Sequence, residues 1–140
     1  VVFLFFRKFR QGGAAMCGAI LLSLLVGNLL LKNIIARDRP CWIDPDFLQL
    51  LVSVPKDFSF PSVHTMISVS AAAALFHYSK ALGIPALVIA ALVGFSRLYL
   101  FVHFPTDVLA GAVIGVLLAV VSCIVTDKIA AKIKSKKTVN

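Results

Sequence analysis

Between Gly12 and Leu31 the chain reads GGAAMCGAILLSLLVGNLLL, twenty consecutive residues without a charge. A helix of that length rises about 30 Å, the thickness of a bilayer's hydrocarbon core. A second stretch, Val108 to Thr126, runs for nineteen uncharged residues. Two shorter apolar runs lie between them: Val63 to Ser79, and Ala81 to Ser96 continuing past Arg97 to Val102. Backbone groups in lipid must bond within their own segment or in a closed barrel, and these runs lack the alternation of barrel strands. The expectation is an all-α, polytopic transmembrane helical bundle. It would be one domain over residues 1–140, with four full spans near 12–31, 63–79, 81–102 and 106–126 and a basic tail, 127–140.

Composition agrees with the run lengths. Of 140 residues, 60% are hydrophobic and 14% charged, where a soluble domain is nearer one-half apolar and one-quarter charged. The net charge of +8 does not imply a nucleic-acid partner, because the basic residues sit at the ends of apolar runs. Placing Arg7, Lys8 and Arg10 in the cytoplasm and alternating the spans puts nine basic residues inside, with Lys80 and the five tail lysines Lys128, Lys132, Lys134, Lys136 and Lys137. Five remain outside, which satisfies the positive-inside rule. Lys32, Arg37, Arg39, Ser62, His64, Arg97, His103 and Asp107 then share one face. The expected location is the plasma membrane, with that face extracytoplasmic and the C-terminus cytoplasmic. Cys17, Cys41 and Cys123 are odd in number and lack metal-like spacing, so neither a disulfide framework nor a zinc site is expected. The run Val1 to Phe6 ends abruptly at Arg7 and reads as the tail of an earlier span, an N-terminal remnant, or else as a short interfacial anchor.

Three polar clusters lie at the expected outer face. In Lys32-Asn33-Ile34-Ile35-Ala36-Arg37-Asp38-Arg39-Pro40 two cations are seven residues apart, on one face if a helix reaches that far. Pro40 marks a helix end at Arg39. These cations suit an anionic headgroup, or simply snorkel to interfacial water. In Phe58-Ser59-Phe60-Pro61-Ser62-Val63-His64-Thr65, Ser62 is the natural N-cap of the following span. The N–H groups of Val63, His64 and Thr65 would then point at an oxyanion. In Ser96-Arg97 through His103-Phe104-Pro105-Thr106-Asp107, Pro105 opens the last span. An Asp four residues after a His can accept its imidazole N–H and fix the tautomer. The bland alternative is a structural ion pair of Arg97 with Asp107.

The three clusters, in order and at fixed spacing, resemble the type 2 phosphatidic acid phosphatase (PAP2) superfamily, which also holds bacterial diphosphate-lipid phosphatases and vanadium haloperoxidases. Its signature is Lys, six residues, Arg-Pro; then Pro-Ser-Gly-His; then Ser-Arg, five residues, His, three residues, Asp. Lys32 with Arg39-Pro40, Pro61-Ser62-Val63-His64, and Ser96-Arg97 with His103 and Asp107 match it. The resemblance implies that His103 is a nucleophile forming a phosphohistidine, oriented by Asp107. It implies that His64 protonates the leaving group and that Lys32, Arg39, Ser62, Arg97 and the backbone N–H of Val63 hold the phosphoryl oxygens. It implies no cofactor and no metal.

Two features depart from the family pattern. Val63 stands where the family has glycine, keeping the N–H but adding a branched side chain. The family has six spans, and four plus a remnant are counted here. The implied activity is hydrolysis of a lipid phosphate or diphosphate at the membrane face. Undecaprenyl diphosphate, phosphatidylglycerol phosphate and phosphatidic acid are the candidate substrates, and the bilayer and its lipid phosphate are the implied partners. The alternative is a non-catalytic or degenerate membrane protein that binds or transports anionic phospholipid. That function needs the cations but not His64, His103 and Asp107 together.

Overall fold

The computed structural model describes residues 10–43 and 53–139, and the expected remnant at residues 1–6 lies outside them. The described residues form helices and no strand. Helix α1 is Arg10–Leu24; it runs on through a π-helical stretch, Leu25–Leu31, into α2, Lys32–Ile35. A short α3, Pro40–Ile43, follows. The remaining helices are α4 (Val63–Tyr78), α5 (Lys80–Tyr99) and α6 (Pro105–Val139).

Among the described residues three helical stretches are long and apolar enough to cross a membrane: Arg10–Ile43, Lys80–Tyr99 and Pro105–Lys136. The expected span at 63–79 is a helix of 16 residues, about 24 Å long at the usual rise. It lies in the middle of the bundle, packed against α1, α5 and α6, while α5 and α6 scarcely touch. The last helix is longer than expected. It continues through the lysine tail to Val139 because Ala130, Ala131 and the lysines favour helix and no glycine or proline interrupts them.

Small residues set how closely the helices approach. Ala15, Ala19, Ala74, Ala119 and Cys123 form one buried cluster. A Cβ at Gly111 would meet the Ser62 carbonyl oxygen at 2.7 Å, and one at Gly115 would meet that of Met66 at 2.7 Å. These glycines, four residues apart, let the backbone of α4 lie directly on α6, as small residues do between membrane helices. The contact places the start of α4 beside the start of α6. Buried hydroxyls add ties across the bundle, Ser23 donating to Ser70 at 2.9 Å and Ser122 to the Ala15 carbonyl at 2.7 Å.

The helix after Lys32 does not reach Arg39, so the condition for the two to share a helix face is not met. It ends at Ile35, with Ala36 left-handed at φ 46° and ψ 44°. Pro40 then starts α3 instead of merely ending a helix, its fixed φ suiting a first helical position. A left-handed alanine costs about 1 kcal/mol that glycine does not. Ala36→Gly is therefore expected to raise stability by about that amount. Unfolding in graded denaturing detergent measures it, and an unchanged midpoint would contradict the strain.

Candidate active site

The three clusters meet at one end of the bundle. A cavity of about 480 Å³ there is lined by Lys32, Arg39, Asp57, His64, Arg97 and His103. Its walls toward the bundle are apolar and include Leu24, Val63 and Ile67. Lys32 and Arg39 converge because the chain reverses at Ala36, and both are buried, at 6% and 3% exposure. His64, in the first turn of α4, is exposed to the cavity. Arg97 lies in the last turn of α5, its guanidinium on the Ser96 hydroxyl at 3.1 Å.

His103 sits in the turn between α5 and α6, at 4% exposure. Phe101 at φ 55° helps turn the chain there. Arg39 Nη1 lies 3.2 Å from His103 Nε2. A guanidinium can only donate, so Nε2 must present its lone pair and the ring proton belongs on Nδ1. That Nδ1 faces Asp107 Oδ2 at 3.7 Å, too long for a hydrogen bond, and is buried without another partner. Burial and then the Arg39 charge push His103 down to about 4, outweighing the Asp107 carboxylate. The ring is therefore neutral at ordinary pH, and its Nε2 lone pair accepts from Arg39, a bond that must be given up for Nε2 to attack.

Asp107 is fully buried and heavily engaged. It accepts from Arg37 Nη1 at 2.8 Å, from the Phe104 N–H at 2.8 Å, and from the Ser59 hydroxyl. The Phe104 bond is half of a capping box, the third residue of α6 reaching back to its N-cap. The alternative pair of Arg97 with Asp107 does not form, because Arg37 takes that place. Arg37 also bonds the Thr106 hydroxyl at 2.7 Å and lies 4.1 Å over the Phe104 ring.

Not every expected phosphate ligand faces the cavity. Ser62 holds the N-cap position with φ −70° and ψ 99°, but caps no backbone N–H. Its fully buried hydroxyl pairs with Thr65 Oγ1 at 2.9 Å, away from the cavity lining. The fit at Val63 comes from across the bundle. A Cβ at Gly27, in the π-helical stretch, would lie 2.8 Å from Val63 Cγ2, so Gly27 leaves the room that the branched side chain needs.

The sequence reading missed Ser59 and Asp57, and it placed Arg37 at the same face without giving it a role. Arg37 and Ser59 lay within quoted clusters, and their polar character amid apolar spans was the available signal. Asp57 bridges the cations, with Oδ1 2.8 Å from Arg39 Nη2 and Oδ2 on Lys32 Nζ. With only six acidic residues in the chain, one placed seven residues before His64 could have been singled out. Among the described residues no group of three or more His, Cys, Asp or Glu side chains could hold a metal ion.

Comparison with known proteins identifies the arrangement. Over 114 residues the chain is 33% identical to an undecaprenyl-diphosphatase of Sulfolobus acidocaldarius, covering 80% of this chain and 54% of that protein. It is 36% identical over 128 residues to phosphatidylglycerophosphatase B of Bacillus subtilis, covering 81% and 57%. The chain thus spans about half the length of these curated relatives. The crystal structure of a transmembrane PAP2-type phosphatidylglycerolphosphate phosphatase from Bacillus subtilis superposes with a TM-score of 0.72 at 36% identity, over 91% of this chain and 65% of that one. That of Aquifex aeolicus LpxE gives 0.73 at 33% identity, over 86% and 72%. With residues 12–130 also matching the family profile, this chain belongs to the PAP2 superfamily.

Proposed function

We propose that the protein is a membrane lipid phosphatase that hydrolyses a lipid phosphate or diphosphate through a phosphohistidine on His103. The observation that carries this reading is the convergence of His103 with Lys32, Arg39, His64 and Arg97 on one cavity, where burial and the Arg39 charge favour the neutral imidazole. Nε2 attacks phosphorus as the bond to the lipid leaving oxygen breaks, and His64 delivers a proton to that oxygen. Water then attacks the phosphohistidine, the P–N bond breaks, and inorganic phosphate leaves. Arg39, Lys32 and Arg97 neutralise the phosphoryl oxygens through both steps, which is where most of the acceleration in phosphoryl transfer arises. Asp107 favours the Nδ1–H tautomer and the cation formed on attack. The apolar wall at Leu24, Val63 and Ile67 suits a substrate whose tail stays in lipid. Undecaprenyl diphosphate, phosphatidylglycerol phosphate and phosphatidic acid all meet that description, and the relatives' names include the first two substrate classes.

The same reading has four spans, with the short α4 crossing inside the bundle, one PAP2-like domain, an extracytoplasmic site in the plasma membrane and a cytoplasmic C-terminus. The supporting feature is the opposite end of the bundle, where Lys80, Asp127 and the lysines of α6 lie. One experiment tests activity and sidedness together. Sealed right-side-out vesicles carrying the protein are given short-chain versions of the three lipids that do not cross the bilayer. Phosphate release without lysis is expected. Release only after lysis would reverse the topology, and no release from any lipid under either condition would overturn the catalytic reading.

A further inference from the structure

Arg39 has no spare donor. Its Nε donates to the Asp57 carbonyl at 2.7 Å, Nη1 to the Val102 carbonyl at 2.7 Å and to His103 Nε2 at 3.2 Å, and Nη2 to Asp57 Oδ1 at 2.8 Å and the Phe58 carbonyl at 3.4 Å. A guanidinium carries five N–H groups, so all are in use. Lys32 donates one of its three N–H groups to the other carboxylate oxygen of Asp57. A phosphoryl group can therefore reach Arg39 only by displacing something. The backbone carbonyls are fixed by the chain, which leaves the Asp57 carboxylate and the His103 contact as the exchangeable partners.

The burial pattern favours exchange at Asp57. The Lys32 and Arg39 side chains are 7% and 4% exposed, whereas that of Asp57 is 55% exposed. The cations cannot leave for water, but the carboxylate can swing into it. Each carboxylate oxygen takes one cation, the arrangement expected of two oxygens on one phosphoryl group. Without an anion there, two buried charges near Arg97 would stand unpaired, at considerable cost. Burial acts to raise the Asp57 carboxyl, but Lys32 and Arg39 outweigh it and hold the group below the ordinary carboxylate range.

We propose that Asp57 is a resident counterion whose carboxylate occupies the phosphoryl-oxygen positions on Lys32 and Arg39, and that substrate phosphate enters by exchanging with it. The inference rests on the reading of this cavity as a phosphoryl site. It makes binding a competition between anions. A doubly charged phosphate displaces a single carboxylate readily, whereas a phosphodiester, with one charge, has little advantage over it. Return of the carboxylate also helps to expel inorganic phosphate after turnover.

The test is product inhibition of lipid-phosphate hydrolysis by inorganic phosphate, in the full chain and in Asp57→Asn and Asp57→Glu. Removing the competing charge is expected to lower the inhibition constant roughly tenfold in Asp57→Asn, the size of one charge interaction in a partly screened site. Asp57→Glu, which restores the carboxylate, is expected to return it toward the original value. If Asp57 instead held Lys32 and Arg39 in place for phosphate, Asp57→Asn would weaken inhibition; an unchanged or raised constant overturns the proposal. Should Asp57→Asn not fold, Asp57→Ser is read in the same way, and failure of both to fold also overturns it in favour of a structural role. Absence of hydrolysis in the unsubstituted protein would instead mean that the site itself had been misread.

Discussion

His103→Asn is expected to give a folded protein that releases phosphate from lipid at least roughly 10³-fold more slowly, as loss of a nucleophile does elsewhere. Asparagine is smaller than histidine, but its amide overlays the Nδ1 side of the imidazole and can donate toward Asp107. The variant therefore removes the attacking nitrogen with little disturbance to a residue that is 4% exposed. Unfolding in graded denaturing detergent should differ little between the two proteins. The chemical signature is more decisive than the rate. Brief reaction with labelled lipid phosphate, quenched in alkali, should leave acid-labile phosphate on the unsubstituted chain and none on the variant. Turnover within tenfold of the original, or equal labelling of both, would remove His103 from the nucleophile's role.

The pH dependence follows from the same ring. His103 is pushed down to about 4, so its reactive neutral form persists well below the ordinary imidazole range. Its titration should take no rate away between about pH 8 and pH 5, and any acid limb in that window belongs to another group. Linkage has the opposite visibility. The folded state holds the ring neutral while the unfolded chain protonates it near its ordinary value. This contribution to stability is complete above about pH 6.5 and is lost as pH falls toward 4.

Span-length runs made the helices legible, because a bilayer demands about twenty apolar residues wherever a helix crosses it alone. That logic serves α5 and α6 well and serves α4 poorly. A helix enclosed by its neighbours is held by helix contacts, so its 16 residues carry a weaker length signal. Its central position depends on backbone approaches at Gly111 and Gly115. Spacing of glycines alone suggests such contacts without saying which helix makes them.

The site was legible to a similar depth. Residue types and spacing brought forward Lys32, Arg39, His64, Arg97, His103 and Asp107, and the structure gathers all of them at one end of the bundle. The means of gathering was not legible. Lys32 and Arg39 come together through a left-handed Ala36 and not along a helix face, and nothing about an alanine announces that conformation. The pairing of Asp107 with Arg37 and Ser59, at the expense of Arg97, is decided by the packing of the segment before Ser62 against the start of α6. Ser59 N–H donates to the Arg37 carbonyl at 2.8 Å and Ser62 N–H to that of Asp107 at 3.1 Å. Such long-range backbone bonds leave no trace in local pattern.

That segment is also why Arg39→Lys should be severe despite keeping the charge. Arg39 reaches the Asp57 and Phe58 carbonyls on one side and the Val102 carbonyl and His103 on the other. One planar group thus joins the segment before α4 to the turn that carries the proposed nucleophile. Lysine has three donors on a flexible stem and no fixed fork. It cannot satisfy carbonyls on both sides at once, and each buried acceptor left alone costs about 1–3 kcal/mol. A loss of about 2–3 kcal/mol in stability is expected from graded detergent unfolding. The effect on phosphate release should be larger still, about a hundredfold or more, because the loosened His103 turn and the misplaced cation at the phosphoryl oxygen both act in the transition state. Retention of the ammonium charge makes the experiment a direct comparison of geometry with electrostatics. If Arg39→Lys released phosphate within a fewfold of the original rate, charge alone would suffice at this position. The guanidinium's bridging of the two segments would then have no part in catalysis.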